Sequence, residues 1–457
     1  MPKARTILWI MTLLLIVLMC TQWGWHIGGD VREIPRGDRV DLHRTGGVHI
    51  TPGYVLLVVT FLAWAAYVVV TFRFFEIRFP ALPVFVLLAV VVVSTIYTRQ
   101  WGGGVGGIAQ LGGVFIGGWC IFANCIDTRQ RLRAAIDLFS IVVGAIVVFA
   151  LWQYRAESDA GNAFAIAGTF GNRNVLGAFF ASALPFLFAL GLYEERTWQR
   201  FALVLLVALG AAVTLSAGAL IAIAVACLFV AALKSRTALL GTVVAITLGL
   251  TLVPGFLSLP RHTDVVVSSA SPYLYNNYLD RRTRTGEPIP GHDEYDTAVR
   301  YKRWFAAARS VQGTLSKTLW GAGPGRYNDT VRPEIRLVHT RRADTDSVPD
   351  FNISVAEPDS FNMYLVTFVE YGPFAFVALL WLGMWLLGRN LRGFREVKDS
   401  TGRALTVGSA AAVLGAGICA VFSSILVRGV ALPFLFVALS GILWPRLPDT
   451  APKDGAR

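Results

Sequence analysis

Apolar runs of roughly membrane-span length recur along this chain, and they limit what it can fold into more than any other feature. A helix needs about 20 predominantly apolar residues to cross a bilayer. Twelve segments approach that: 7–25, 53–72, 81–98, 108–126, 134–151, 174–193, 201–216, 218–233, 237–253, 362–388, 404–427 and 430–444. Backbone shielded from water must satisfy its own N–H and C=O groups, so each run is expected to be helical. The expected fold is an all-α polytopic membrane protein with about 12 transmembrane helices. The first run follows Lys3 and Arg5 as a secretory leader would, but Trp23-Gly-Trp-His26 stands where a small-residue cleavage site belongs. It therefore reads as an uncleaved span.

Composition agrees with that expectation. Of 457 residues, 55% are hydrophobic and only 15% charged, which is far from the balance of an ordinary soluble domain. A net charge of +12 would suggest nucleic acid in a soluble protein. Here the basic residues flank the apolar runs, so the expected partner is membrane lipid and no nucleic-acid partner is expected. With the N-terminus placed in the cytoplasm and sides alternating, 19 Lys and Arg fall on inside segments against 8 on the short outside ones. That asymmetry puts both termini in the cytoplasm and the long polar segment outside. The chain then divides into an N-terminal bundle (1–253, about nine helices), a periplasmic loop (254–359), three C-terminal helices (360–445) and a cytoplasmic tail (446–457). The five cysteines all lie within apolar runs, as packing residues rather than a disulfide framework or zinc site.

Candidate chemistry gathers in and around residues 254–359, because loops longer than about 15 residues are usually functional. Its 14 basic and 13 acidic side chains rule out a polybasic membrane-binding tail. Val299–Arg309 has helical character, and Arg300 lies one turn before Trp304, with Arg303 beside them. Guanidinium groups take phosphate oxygens bidentately, although a surface helix with solvated charges fits the same residues. Gly321-Ala-Gly-Pro-Gly325 makes a turn. Glu357 and Asp359 stand at the loop exit, and Glu370 lies about two turns into the next span. An ionisable group at that depth is a functional candidate, with capping or pairing to a loop arginine as the alternative.

A second candidate, Gly168-Thr-Phe-Gly-Asn-Arg-Asn174, opens the sixth span. Asn172 and Asn174 are cap-forming residues, and Arg173 adds charge to a helix start where a lipid pyrophosphate could sit. A capped start with Arg173 reaching the head groups is the alternative. Gly102-Gly-Gly-Val-Gly-Gly107 reads as a turn between spans, residues 26–52 as a solvated hairpin or amphipathic cap, and Ser216-Ala-Gly218 as a tight outer turn. The six histidines show no metal-pair spacing, and no metal site is expected.

Taken in order, these motifs resemble the bacterial O-antigen ligase and O-antigen polymerase family. The likeness covers roughly residues 160–390: the Gly168–Asn174 motif, Arg300 four residues before Trp304, Gly321–Gly325, then Asn362-Met-Tyr-Leu365 leading into Glu370-Tyr-Gly372. The resemblance implies a GT-C type glycosyltransferase of the bacterial inner membrane that works at the periplasmic face without metal or other cofactor. Its donor would be an undecaprenyl-pyrophosphate-linked glycan and its acceptor a hydroxyl of a glycan, lipid or protein. Arg300 would stabilise the departing pyrophosphate and Asp359 or Glu370 would serve the acceptor. Arg173, Asn172, Asn174, Arg303, Trp304, Asn362 and Tyr364 would bind pyrophosphate and glycan. Two positions depart from the family pattern: Phe361 stands where ligases carry His, and Ala217 where many members carry Arg. Arg173 could replace the missing charge, and Asp359 or His339 the missing base. Two other readings stay open, a non-catalytic scaffold that binds lipid-linked glycan for an export complex and a secondary transporter.

Overall fold

Each of the twelve apolar runs overlaps a helix in the computed structural model, which describes residues 2–21, 25–27, 30–36, 39–45, 48–159, 168–170, 173–193, 197–213, 216–257, 297–311, 315–327, 330–331, 362–423 and 430–449. The helices are α1 (Pro2–Leu18), α2 (Pro52–Thr71), α3 (Leu82–Thr98), α4 (Trp101–Gly112), α5 (Trp119–Cys125), α6 (Arg129–Asp159), α7 (Arg173–Tyr193), α8 (Thr197–Val213), α9 (Ala217–Lys234) and α10 (Arg236–Leu257). After the long polar segment begins come α11 (Thr297–Ser310) and α12 (Leu315–Trp320), then α13 (Met363–Glu396), α14 (Ser400–Cys419) and α15 (Ala431–Leu443). Among the described residues, six helices are long and apolar enough to cross a membrane: Pro52–Thr71, Gly104–Cys125, Arg129–Arg155, Asn174–Tyr193, Met363–Glu396 and Ser400–Cys419. Large apolar side chains also point outward along them, among them Leu62, Val70, Ile141 and Met384. A soluble protein would bury such a surface, so this one is compatible with a multi-pass membrane protein.

Helix α7 is the core. It is surrounded by α8, α9, α14 and α15, and its residues from Val175 to Leu187 are all buried. Small residues permit that closeness, as is usual where helices meet without water to drive them together. A Cβ on Gly415 would strike the carbonyl of Ala181, and one on Gly408 would come within 3.0 Å of Ala189 and Phe186. Polar side chains join the same layer: buried Asn390 donates to the carbonyls of Leu386 (2.9 Å) and Ala438 (3.0 Å), and Ser409 donates to Val437 at 2.6 Å. All five cysteines are free and buried.

Between α1 and α2, the expected hairpin takes the form of two antiparallel ribbons. Trp25–Ile27 pairs with Val48–Ile50, and Asp30–Arg36 pairs with Arg39–Thr45.

The glycine run Gly102–Gly107 is helical rather than a turn. It lies inside α4, and Gly113–Gly118 continues it as a π-helical segment into α5. Glycine disfavours a helix by roughly 0.5–1 kcal/mol in water. An unpaired peptide group in apolar surroundings costs more than that, so the run stays hydrogen-bonded as a helix. What the glycines provide is close approach. A Cβ on Gly104 would collide with Thr95 of α3, and one on Gly107 would lie 2.9 Å from the Tyr371 hydroxyl of α13.

Candidate functional site

The site begins with a fault in α13. Pro373 has no N–H to give the carbonyl of Val369, and Gly372 leaves helical geometry altogether (φ 81°, ψ 178°). Two carbonyls in a buried helix are thereby released and need other donors. The Gly321–Gly325 turn supplies them: Ala322 N–H donates to Val369 O at 2.8 Å and Gly323 N–H to Glu370 O at 3.0 Å. Ser94 of α3 joins both sides, its hydroxyl lying 2.7 Å from the Trp320 carbonyl and 3.3 Å from that of Glu370. Glycine is needed at both surfaces of this junction. Gly321 has φ 77° and Gly323 φ 100°, and a Cβ on Gly321 would run into the Glu370 carbonyl, while one on Gly372 would run into that of Leu319.

The Glu370 side chain turns back into the same junction. It is 5% exposed, and one carboxylate oxygen accepts the Tyr327 N–H at 3.2 Å. Its backbone and side chain therefore both hold the turn. Just beneath lies a small cavity of about 60 Å³ between α3, α4 and α13, lined by Gln110, Thr367, Glu370 and Tyr371 among apolar neighbours.

Helix α11 docks over the N-terminal part of α13 along its apolar stripe. Ala306, Ala307 and Val311 bury with Tyr327, Val331, Val366 and Val369, and Leu365 and Phe368 pack alongside. This packing fixes the course of α11, which carries Arg300 and Arg303; the side chains of both lie outside the described residues. Trp304 is half-buried. The Asn362-Met-Tyr-Leu365 motif forms the start of α13. Asn362 is its N-cap, accepting the Leu365 N–H at 3.1 Å. The Tyr364 hydroxyl donates to Gly417 O at 2.8 Å and Met363 N–H to Ala420 O at 2.8 Å, tying α13 to the end of α14.

The Gly168 motif lies at the same end of the bundle. Helices α7 and α14 are antiparallel, with Phe186 and Ala189 opposite Gly408 and Ala181 opposite Gly415. That register brings the buried Asn174 level with the C-terminal end of α14, where Gly218 meets Phe422. Gly168 N–H donates to the Gln153 side chain at 2.8 Å, and the Thr169 hydroxyl donates to Cys20 O at 2.8 Å, anchoring the turn to α6 and α1. Arg173 is the first residue of α7. Its side chain, and Asn172, Glu357, Asp359, Phe361 and His339, lie outside the described residues.

Thus Glu370, Asn362, Tyr364, Asn174 and Trp304 share one end of the molecule. Sequence reasoning missed Ser94 and Tyr327, which complete the junction. A lone serine near the end of an apolar span was the available sign for Ser94; Tyr327 gave none. A search against protein-family models finds no matching family, and a search of curated proteins finds no significant match.

Proposed function

We propose that this chain is a polytopic membrane glycosyltransferase with about twelve spans, a periplasmic loop at 254–359 and both termini in the cytoplasm. It transfers or polymerises a glycan from an undecaprenyl-pyrophosphate donor onto an acceptor hydroxyl at the periplasmic face. The acceptor oxygen forms a bond to the anomeric carbon as the bond to the pyrophosphate oxygen breaks, and the hydroxyl proton passes to a base. Arg300, with Arg303 and Arg173, stabilises the charge that gathers on the leaving pyrophosphate. Asp359 is the proposed base. Glu370 is better suited to positioning, because it is buried in the junction and one carboxylate oxygen accepts the Tyr327 amide.

The observation that carries this reading is the fit of the Gly321–Gly325 turn into the Glu370-Tyr-Gly-Pro break. It holds the arginine-bearing α11 over the bundle end that also contains Asn362, Tyr364 and Asn174. Motifs far apart in sequence so meet at one end of the bundle, which supports reading that end as the binding place of a lipid diphosphate. The test is deletion of the gene followed by analysis of surface glycans and lipid-linked precursors. Loss or shortening of one surface glycan with accumulation of its undecaprenyl-linked precursor is the expected result. An unchanged glycan profile would refute it. One observation favours a second reading, a non-catalytic scaffold for lipid-linked glycan: Phe361 cannot take a proton. Purified protein that binds the donor but never turns it over would select that reading.

A further inference from the structure

The end of the bundle opposite Glu370 holds a pocket that the transfer reaction does not use. The Thr169 hydroxyl bonds to Cys20 at the end of α1, and Gly53 at the start of α2 packs on Leu18 and Met19, so Arg5 and the α2–α3 connection lie at the far end. There a pocket of about 140 Å³ opens between α1, α2 and α5, lined by Arg5, Arg73, Arg78, Glu76 and Asp127 together with apolar Leu8, Trp64 and Val68.

Its cations are not balanced by its anions. Asp127 is held by Arg131 through both carboxylate oxygens at 3.0 Å, and Glu76 pairs with Arg73 at 3.3 Å. Arg5 donates to the Tyr67 hydroxyl at 3.0 Å, and Arg78 to Ala123 O at 3.2 Å; among the described residues neither makes an ion pair. Burial lowers the pKa of Arg78 from the ordinary arginine value, and the charge of Arg446 adds to the effect, only partly offset by Asp127. A half-buried cation without an ion-pair partner among the described residues gains from an added anion.

The surroundings identify the source of that anion. The connection that carries Arg73 and Arg78 also carries Phe72, Phe74, Phe75 and Phe79, all exposed. Four exposed phenylalanines within eight residues form an apolar patch of the kind that marks a membrane contact. Basic pockets between spanning helices on the cytoplasmic side take lipid headgroups. We propose that Arg5, Arg73 and Arg78 bind the phosphate of an anionic phospholipid, with its acyl chains along the phenylalanine-bearing connection. The pocket is far smaller than the several hundred Å³ of a drug-sized site, so it takes a compact headgroup and leaves the chains outside.

Native mass spectrometry of the full chain in mixed micelles tests this, with phosphatidylglycerol, phosphatidylcholine or inorganic phosphate as the probe. Wild type should retain phosphatidylglycerol in preference to phosphatidylcholine. Arg78→Gln should weaken retention about tenfold, the scale of one charge-assisted hydrogen bond. Arg73→Gln, at a side chain that is 40% exposed, should lower it even if Arg78→Gln does not fold. Equal retention by wild type and both variants would overturn the site. Displacement of phosphatidylglycerol by inorganic phosphate at equal concentration would overturn the lipid as its source.

Discussion

The Ala322 amide stands in for the one that Pro373 lacks, donating to Val369 O at 2.8 Å and so completing a membrane-type helix with a turn from the polar segment. Gly321 makes the exchange possible, since only a residue without Cβ can sit at φ 77° against the Glu370 carbonyl. Gly321→Ala should therefore cost roughly 1–3 kcal/mol of strain and release α11 and α12 from α13. The check is thermal unfolding of the detergent-solubilised protein together with limited proteolysis, in which cleavage within 297–331 should rise sharply. An unaltered proteolytic pattern would mean that the turn is not what holds the segment.

Glu370 separates positioning from base catalysis. Replacing it by Ala leaves the Tyr327 N–H buried without its acceptor, a loss of about 1–3 kcal/mol. Glu370→Gln keeps an acceptor oxygen for that amide. A positioning residue predicts that Gln retains most of the transfer rate while Ala loses stability and rate together. A general base predicts that both lose roughly 10²–10⁴-fold. Transfer rates of the two variants, set beside their unfolding temperatures, decide the matter.

Much of this architecture was legible before any coordinates. Bilayer thickness imposes a length on apolar runs, so helices near 53–72, 134–151 and 174–193 could be placed from sequence to within a few residues, save α6, which extends beyond its run to Arg129 and Asp159. The helical Arg300–Trp304 stretch and the Gly321–Gly325 turn were likewise visible, because periodicity and glycine act locally. The Gly102–Gly107 run was not, since its glycines answer to neighbours on α3 and α13 rather than to the local chain. The partnership of Ala322 with Val369 was hidden for a related reason: a proline shows which carbonyl it strands, but nothing nearby in sequence shows what will reach it.

If Arg300 carries the leaving-group charge, its removal should be felt in the chemical step and not in folding. Arg300→Ala should slow transfer by about 10²–10³-fold, the usual scale for losing one donor to a developing oxyanion. Lys should restore only part of the rate, because an ammonium cannot grip two phosphate oxygens in the planar fork. The assay is transfer from purified undecaprenyl-pyrophosphate-linked glycan, followed as loss of donor and growth of product. Wild-type rates in Arg300→Ala would remove α11 from the reaction.

The glycines of α4 yield a prediction about packing rather than chemistry. Gly104 faces Thr95 with no room for a side chain, and Gly107 comes within reach of the Tyr371 hydroxyl. Helix α3, on the other side of the same layer, holds Ser94 against the Trp320 and Glu370 carbonyls. A bulky residue at Gly104 should push α3 away from α4, and the displacement should reach the junction through Ser94. Gly104→Leu is expected to cost roughly 1–3 kcal/mol, the range for overpacking a dense interior, and to lower transfer although it lies in neither arginine-bearing segment. Ser94→Ala removes only the hydroxyl, so it should reproduce the fall in transfer with a smaller loss of unfolding temperature. If Gly104→Leu lowers stability while Ser94→Ala leaves both quantities unchanged, the glycines serve the α3–α4 contact alone and the junction does not depend on it.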